Sequence, residues 1–376
     1  MKKRKRVLFY YSNNKSSISI ETLLEELQKR GYKIYFLSTT KRGTLHDDLE
    51  KYDIRCWAHP VEENKLYYIK QILFLVWFCW KHRIEVVYSN LQHANVIACI
   101  AQFFFRAKLI VGRHHFDFVK EIDGISYTPP SNEILFDKII NRLAKVITVP
   151  SSGVYNGMKN YEKVDIKKVY IVPYIYDFSK YPKPDEKKVA EIRQRYSSKL
   201  ILLACMRLMK LKRHLLLLEI VKELLEEGYD VQLICLDNGP EKERLELFIK
   251  QHQLEEKVHL LGFQTEYIQY MMAADLLLHP SLTEASNSVV KEMGMLAKLV
   301  VVCKGVGDFD DYIEHRKNGF LVSREHTHQE MKTIIKEVYQ NPIAFQELGI
   351  RLRETVYQKF NRSEEVLRLY DKLFQN

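Results

Sequence analysis

Two glutamates eight residues apart, Glu284 and Glu292, lie in the run HPSLTEASNSVVKE at positions 279–292. Ser286, Asn287 and Ser288 between them are helix-capping residue types, so Glu284 is expected in a loop and Glu292 inside the helix that follows. The apolar run at 276–279 reads as a strand feeding that loop. A strand, a polar loop and a helix start make an anion site: unpaired backbone N–H groups point outward beside two carboxylates that can hold sugar or ribose hydroxyls. The context carries this reading, because an E-x7-E spacing by itself has no specificity. A second strand-like run, 200–205, leads straight into Arg207 and Lys212. Cations at a strand end are placed to neutralise a diphosphate whose negative charge grows as it departs.

Other candidates stand at other strand ends. The run 108–112 is followed by Arg113, His114 and His115, and His93 follows the run 86–89. Adjacent histidines on a turn suit a cleft lining better than a metal pair. Six cysteines are scattered through apolar runs with no C-x-x-C pair, which points to buried free thiols rather than zinc or disulfides.

The elements that must position these groups follow from the apolar pattern. Short apolar runs alternate with longer amphipathic segments along most of the chain, as in βαβ units around a parallel sheet. Strands are expected at 7–11, 33–38, 86–89, 108–112, 146–149 and 169–172, with helices at 20–30, closed by Gly31, and at 94–105. The alternation restarts at 200–205, 231–236, 258–261, 276–279, 299–302 and 319–322. Between the two series, residues 173–184 contain Pro173, Pro182 and Pro184, which reads as a hinge. The expected architecture is α/β: two doubly wound, Rossmann-like domains, residues 1–178 with 356–376 packing back, and residues 179–355. Ligands of open α/β sheets bind at the carboxyl ends of strands, so the site is expected in a cleft between the two.

At 376 residues with 46% hydrophobic and 28% charged, the chain can bury a sizeable core. The longest apolar run, 72–80, is too short to span a bilayer, and the apolar stretch behind the N-terminal lysines is too short for a secretory leader. A cytoplasmic protein, at or near the inner face of the membrane, is expected. The net charge of +10 is uneven: residues 1–180 hold 29 Lys and Arg against 18 Asp and Glu, while the rest is balanced. The first half therefore faces something anionic, and nucleic acid is the weakest choice because no nucleic-acid-binding motif is present. The apolar run at 67–80, with Lys2, Lys3, Arg4, Lys5 and Arg6, has two readings: a helix packed inside the first domain, or an aromatic face meeting an anionic membrane.

The order Arg207, Lys212, Asp237-Asn-Gly-Pro-Glu241, Leu261-Gly262-Phe263, Ala273-Ala-Asp275, His279-Pro-Ser281, Glu284-x7-Glu292 and Gly319-Phe-Leu-Val322 resembles the nucleotide-binding half of glycosyltransferase family 4, which has the GT-B fold. The first half is similar through Val169-Tyr-Ile-Val-Pro173 and residues 144–151, and the closing segment 360–370 resembles the family's last helix, which crosses back to the first domain. The resemblance implies that Arg207 and Lys212 bind the diphosphate of a nucleotide sugar, that Glu284 contacts the donor sugar and that Glu292 holds the ribose. Ser286, Asn287, Ser288, Gly262 and Phe263 fall in the donor-binding segments. His114 matches in register a histidine near the reacting sugar, and His115 is one residue off. The loop Ser12, Asn13, Asn14, with His93 and His115, would meet acceptor or phosphate. Such enzymes retain anomeric configuration and use no metal or other cofactor; the partners implied are a nucleotide-sugar donor and a glycan or lipid-linked acceptor, as in bacterial surface polysaccharide synthesis.

The sequence departs from the family at several points. Met206 precedes the arginine and Arg213 follows the lysine where glycines are usual, Ala297 and Leu299 replace Gly and Pro after Glu292, and the Ser12–Ser17 loop replaces a Gly-Gly pair. Asp308-Phe-Asp310 matches a D-x-D metal motif of a different glycosyltransferase fold and is read as a decoy. A sugar-nucleotide epimerase or hydrolase on the same fold, and a non-catalytic nucleotide-sugar-binding partner subunit, remain alternatives; a nicotinamide-dependent oxidoreductase lacks G-x-G-x-x-G after its first strand.

Overall fold

A computed structural model describes residues 5–62, 64–115, 121–122, 125–126 and 131–375. The chain divides into two compact units, one of Met1–Lys120, Tyr127–Asp177 and Phe360–Asn376, the other of Glu121–Ser126 and Phe178–Lys359.

In the first unit, β1 (Arg6–Tyr11), β2 (Lys33–Ser38), β3 (Arg55–Ala58), β4 (Val86–Asn90) and β5 (Lys108–Gly112) precede a short antiparallel pair, β6 (Glu121–Ile122) and β7 (Ile125–Ser126), assigned to the second unit. β8 (Ile147–Val149) and β9 (Val169–Ile171) complete a seven-stranded sheet in the order β3-β2-β1-β4-β5-β8-β9. Every neighbour pair in it is parallel. β4 is covered on both faces and buried along its whole length; Val86, Val87 and Tyr88 are apolar, and the buried Ser89 hydroxyl is satisfied by donating to Asn95 Oδ1 at 2.8 Å. β3 was not among the expected strands: its four residues Arg-Cys-Trp-Ala sit at the sheet edge, none of them buried, and lack the continuous apolar run that marks an interior strand. The expected helix at 94–105 is instead Gln92–Ala101 followed by a 3-10 turn, Gln102–Phe104.

Helix Ile18–Lys29 ends as the sequence suggests, with Gly31 in the left-handed region (φ 90°). The Tyr32 N–H donates to Leu27 O at 3.2 Å and the Gly31 N–H to Gln28 O at 2.9 Å, satisfying two end carbonyls. The last helix, Glu364–Gln375, places Val366, Leu367, Tyr370, Leu373 and Phe374 in the same core as Val7, Phe9, Leu24 and Phe36. Its end is capped by lysines: Lys5 Nζ donates to Phe374 O at 2.6 Å and Lys108 Nζ to Leu373 O at 2.7 Å. Lys5 is thereby removed from the basic arm read in the sequence; Lys2, Lys3 and Arg4 lie outside the described residues.

The second unit holds β10 (Leu200–Cys205), β11 (Val231–Leu236), β12 (Val258–Gly262), β13 (Leu276–His279), β14 (Leu299–Cys303) and β15 (Phe320–Val322), a six-stranded parallel sheet in the order β12-β11-β10-β13-β14-β15. All six cysteines are free thiols. Among the described residues no helix is long and apolar enough to cross a membrane.

Candidate functional site

In each sheet the strand order reverses once, between β1 and β4 in the first unit and between β10 and β13 in the second. Connections leave such a pair in opposite directions, opening a crevice beyond the carboxyl ends. Lys212 and Glu284 come together at the second of these places and His114 stands at the first, whereas Gly262 and Phe263 follow the edge strand β12.

In the second unit, β13 ends at His279 and the chain continues through Ser281 and Thr283 to Glu284. Lys212, closing the short turn Lys210–Lys212 after β10, forms an ion pair with Glu284 and donates to Thr283 O at 3.0 Å and Ser281 Oγ at 3.1 Å. His279 Nε2 donates to the same Glu284 oxygen at 2.7 Å. Burial pushes the Glu284 carboxyl up, but the His279 hydrogen bond and the charge of Lys212 outweigh it and hold it at about 2. Glu284 is thus a fixed anion with one oxygen shared between two donors. Gly307, at φ 56°, presses against it: a Cβ there would stand 2.8 Å from Glu284 Cβ.

Glu292 lies inside helix Ser288–Met295, 6% exposed. Asn287 is the cap, its side chain accepting from the Val290 N–H at 3.0 Å. Burial raises the Glu292 carboxyl to about 7, against hydrogen bonds from Tyr181 and Ser288 and the charge of Lys291. Ser286 has a different partner: it donates to Asp308 at 2.6 Å, and Lys291, fully buried, pairs with the same carboxylate at 2.6 Å. Asp310 accepts from the Gly305 N–H at 2.5 Å. The Asp308-x-Asp310 pair therefore fastens the Gly305–Asp308 loop to the capping segment.

Arg207 is exposed and makes no side-chain hydrogen bond or ion pair to the described residues. Gly262 ends β12 at φ 69°, and Phe263 beyond it is 71% exposed. Of the residues that stand where the family has glycine, Arg213 and Ala297 occupy left-handed backbone, at φ 55° and 56°, whereas Met206 does not. The Arg213 guanidinium offsets that strain by donating to Pro280 O at 2.7 Å and Thr327 Oγ1 at 2.9 Å, which fixes the segment leading to Glu284.

In the first unit a pocket of about 250 Å³ opens at the reversal, lined by Tyr11, Tyr88, Asn90, Leu91, His114 and Tyr174 among others. His114, rather than His115, lines it. His114 Nε2 lies 3.1 Å from Asn90 Oδ1, and the Tyr174 hydroxyl meets Nδ1. With a carbonyl oxygen on Nε2, that nitrogen carries the proton and Tyr174 donates to Nδ1. Burial, with the charges of His115 and Arg113, lowers His114 to about 4, so the ring is neutral near pH 7. Asn90 is 3% exposed, and its Nδ2 has no partner among the described residues. A Cβ at Gly112 would stand 2.2 Å from Asn90 Oδ1, so glycine alone leaves that amide room.

Arg113 anchors the strand end behind this pocket. Its guanidinium meets Asp137 at 2.7 Å and Glu162 at 3.0 Å, all three side chains at most 1% exposed. His93 is exposed at the start of its helix, its Nδ1 3.0 Å from the Tyr68 hydroxyl. In the first loop Asn13 Oδ1 accepts from the Asn14 N–H at 2.7 Å, bracing the loop itself, and Asn14 Nδ2 donates to Lys41 O at 3.0 Å, tying it to the loop after β2. Ser12 precedes this turn at the end of β1.

His279 enters the sequence reading only within the motif that carries the resemblance, and neither it nor Lys291, Asn90 or Tyr174 is given a site role there. His279 and Asn90 each end a strand at a reversal, a signal available once strand order is known; Lys291 and Tyr174 depend on contacts that only the folded chain makes.

Two family models match side by side: Glycosyltransferase Family 4 over residues 16–180 and Glycosyl transferases group 1 over residues 185–358. The chain belongs to the group 1 glycosyltransferases of the family 4 type, and its two parallel-sheet units are the GT-B architecture. Among curated proteins it is similar to the N-acetyl-alpha-D-glucosaminyl L-malate synthase of Bacillus anthracis, at 20% identity across 100% of this chain and 97% of the relative. Among solved structures it is similar to the Anabaena protein HepE in complex with UDP and glucose (20% identity, 99% of this chain, 100% of that one, TM-score 0.80). The sucrose-phosphate synthase of Thermosynechococcus elongatus also shares the fold (16% identity, 99% of each chain, TM-score 0.76).

Proposed function

We propose that this glycosyltransferase is a retaining, metal-independent enzyme that moves a sugar from a nucleoside-diphosphate donor to an acceptor hydroxyl. The observation that carries the reading is the cluster at the β10/β13 reversal, where Lys212 and His279 converge on Glu284 and Glu292 stands one helix turn inside. The donor's diphosphate lies against Lys212 and the exposed Arg207, Glu284 takes donor-sugar hydroxyls on its second oxygen, and Glu292 accepts from the ribose. UDP and glucose bound in HepE support a nucleotide-sugar donor and make uridine the first base to try.

During transfer the bond from the anomeric carbon to the diphosphate oxygen breaks and a bond to the acceptor oxygen forms on the same face. The acceptor proton passes to the departing phosphate oxygen, and the two cations stabilise the charge that develops there. No metal is needed for that charge, and the one D-x-D pair already serves Lys291, Ser286 and Gly305.

The acceptor belongs to the first unit, where neutral His114, Asn90 and an aromatic wall suit a glycan ring. The enzyme works on the cytoplasmic side in the assembly of a surface polysaccharide or lipid-linked glycan. Incubation of the purified protein with UDP-sugars and glycan acceptors, with and without EDTA, tests the reading: transfer with retention, indifferent to EDTA and lost in Lys212→Ala and Glu284→Ala, is expected. Transfer by both variants at the wild-type rate contradicts it.

A further inference from the structure

We propose that the outward face of helix Tyr67–His82, with the adjoining turn Gln102–Phe104, docks the protein on an anionic lipid bilayer. This surface is independent of the donor site. The helix buries Gln71, Leu75, Phe78 and Cys79 on its inner side. Its other side is apolar too: Leu66 is 53% exposed, Ile69 53%, Leu73 65%, Trp77 49% and Trp80 57%. Steps of three and four residues put these on one stripe, roughly 20 Å long at about 1.5 Å rise per residue. Phe103 and Phe104, 68% and 61% exposed, widen it, and the Trp80 indole N–H donates to Phe104 O at 2.9 Å, tying the two pieces together. An apolar patch of this continuity marks an interaction surface.

Charge decides what covers it. From Asn64 to Phe116 the only acidic residue is Glu85, while Lys65, Lys70, Lys81, Arg83 and Arg106 are all exposed around the stripe. Glu85 is itself engaged, accepting from the Arg6 N–H at 3.0 Å. Lys81 stands 4.4 Å over the Trp77 ring and Arg106 6.0 Å over Trp80, so the cations rim the aromatics. Tryptophans at the margin of an apolar face with lysine and arginine beside them match the order of a bilayer surface: acyl chain, glycerol level, anionic headgroup. A second copy fits poorly, because a two-fold contact through this stripe would bring the same cations against each other.

The test is co-sedimentation of the full chain with phosphatidylcholine vesicles, with and without phosphatidylglycerol. Wild type is expected to pellet with the anionic vesicles, to be released by high salt, and to show a blue-shifted tryptophan emission when bound. The double variant Leu73→Ser/Trp77→Ser should lose about tenfold or more in partitioning, and Lys70→Glu/Lys81→Glu should lose the preference for anionic lipid. Unchanged thermal midpoints for both show that the fold survives. Wild type remaining in the supernatant with both vesicles, or pelleting untouched by the variants, overturns the proposal. So does a dimer in solution that Leu73→Ser/Trp77→Ser converts to monomer, since the stripe would then belong to a second copy.

Discussion

His279 Nε2 lies 2.7 Å from Glu284 Oε1, the oxygen that also receives Lys212. Two donors on one carboxylate oxygen fix the rotamer and leave the second oxygen for a ligand. His279 is therefore a positioning residue: His279→Ala should lower kcat by about 10–100-fold while moving donor KM little, because it loosens a group aimed at the transition state. His279→Gln, which keeps an N–H donor, should recover part of the loss. Steady-state kinetics with a UDP-sugar check this, and a pure KM effect would contradict it.

With Glu292 assigned to the ribose, donor binding should depend on pH. Burial holds its carboxyl up at about 7, and only the ionised form offers both oxygens as charged acceptors to the ribose hydroxyls. Below pH 7 the proton must leave before the nucleotide binds, so affinity should fall about tenfold per pH unit there and level off above. Glu292→Gln should bind more weakly with a flat profile between pH 5 and 8. A wild-type affinity that rises as pH falls would contradict this assignment.

Arg113 holds two carboxylates that have no water. With the Asp137 and Glu162 side chains both at 0% exposure, Arg113→Met removes their shared counter-charge and leaves them with the hydrogen bonds from Gln92 and Asn141, at a cost of about 3–5 kcal/mol. Burial already pushes Asp137 up to about 6 despite the arginine. The thermal midpoint of the variant should drop sharply at pH 8 and less at pH 5, where protonation relieves the pair. An unchanged midpoint would mean that the network does not stabilise the strand end.

Ala297 offers the opposite sign. It sits at φ 56° after helix Ser288–Met295, where an L side chain is strained. Ala297→Gly should stabilise by about 1 kcal/mol, read as a higher urea midpoint. A lower midpoint would show that the left-handed turn carries no strain.

Most strands of both sheets were readable because strands covered on both faces need unbroken apolar runs, and β2, β5, β10, β11 and β13 fall on the expected residues. β3 was not, since an edge strand with no buried residue carries no such run. The placement of Glu284 in the loop and Glu292 in the helix was legible from the capping residues, with Asn287 taking the role. Lys291 and Asp308 were not: a lysine in an amphipathic helix reads as solvated, and only the packed loop shows it buried against a carboxylate 17 residues away. The same holds for Tyr174, which reaches His114 across 60 residues. The run 67–80 reads as apolar all round, and only the sheet beneath it determines which half remains outside.

The most direct measurement is calorimetric titration of UDP into the wild-type protein and into Lys212→Ala. One-site binding by the wild type, weakened about thirtyfold or more in the variant as a desolvated charge contact is lost, is the predicted result. Equal affinity in the two proteins, or no binding of UDP, GDP or ADP to the wild type, would contradict a nucleotide-sugar site at Lys212 and Glu284.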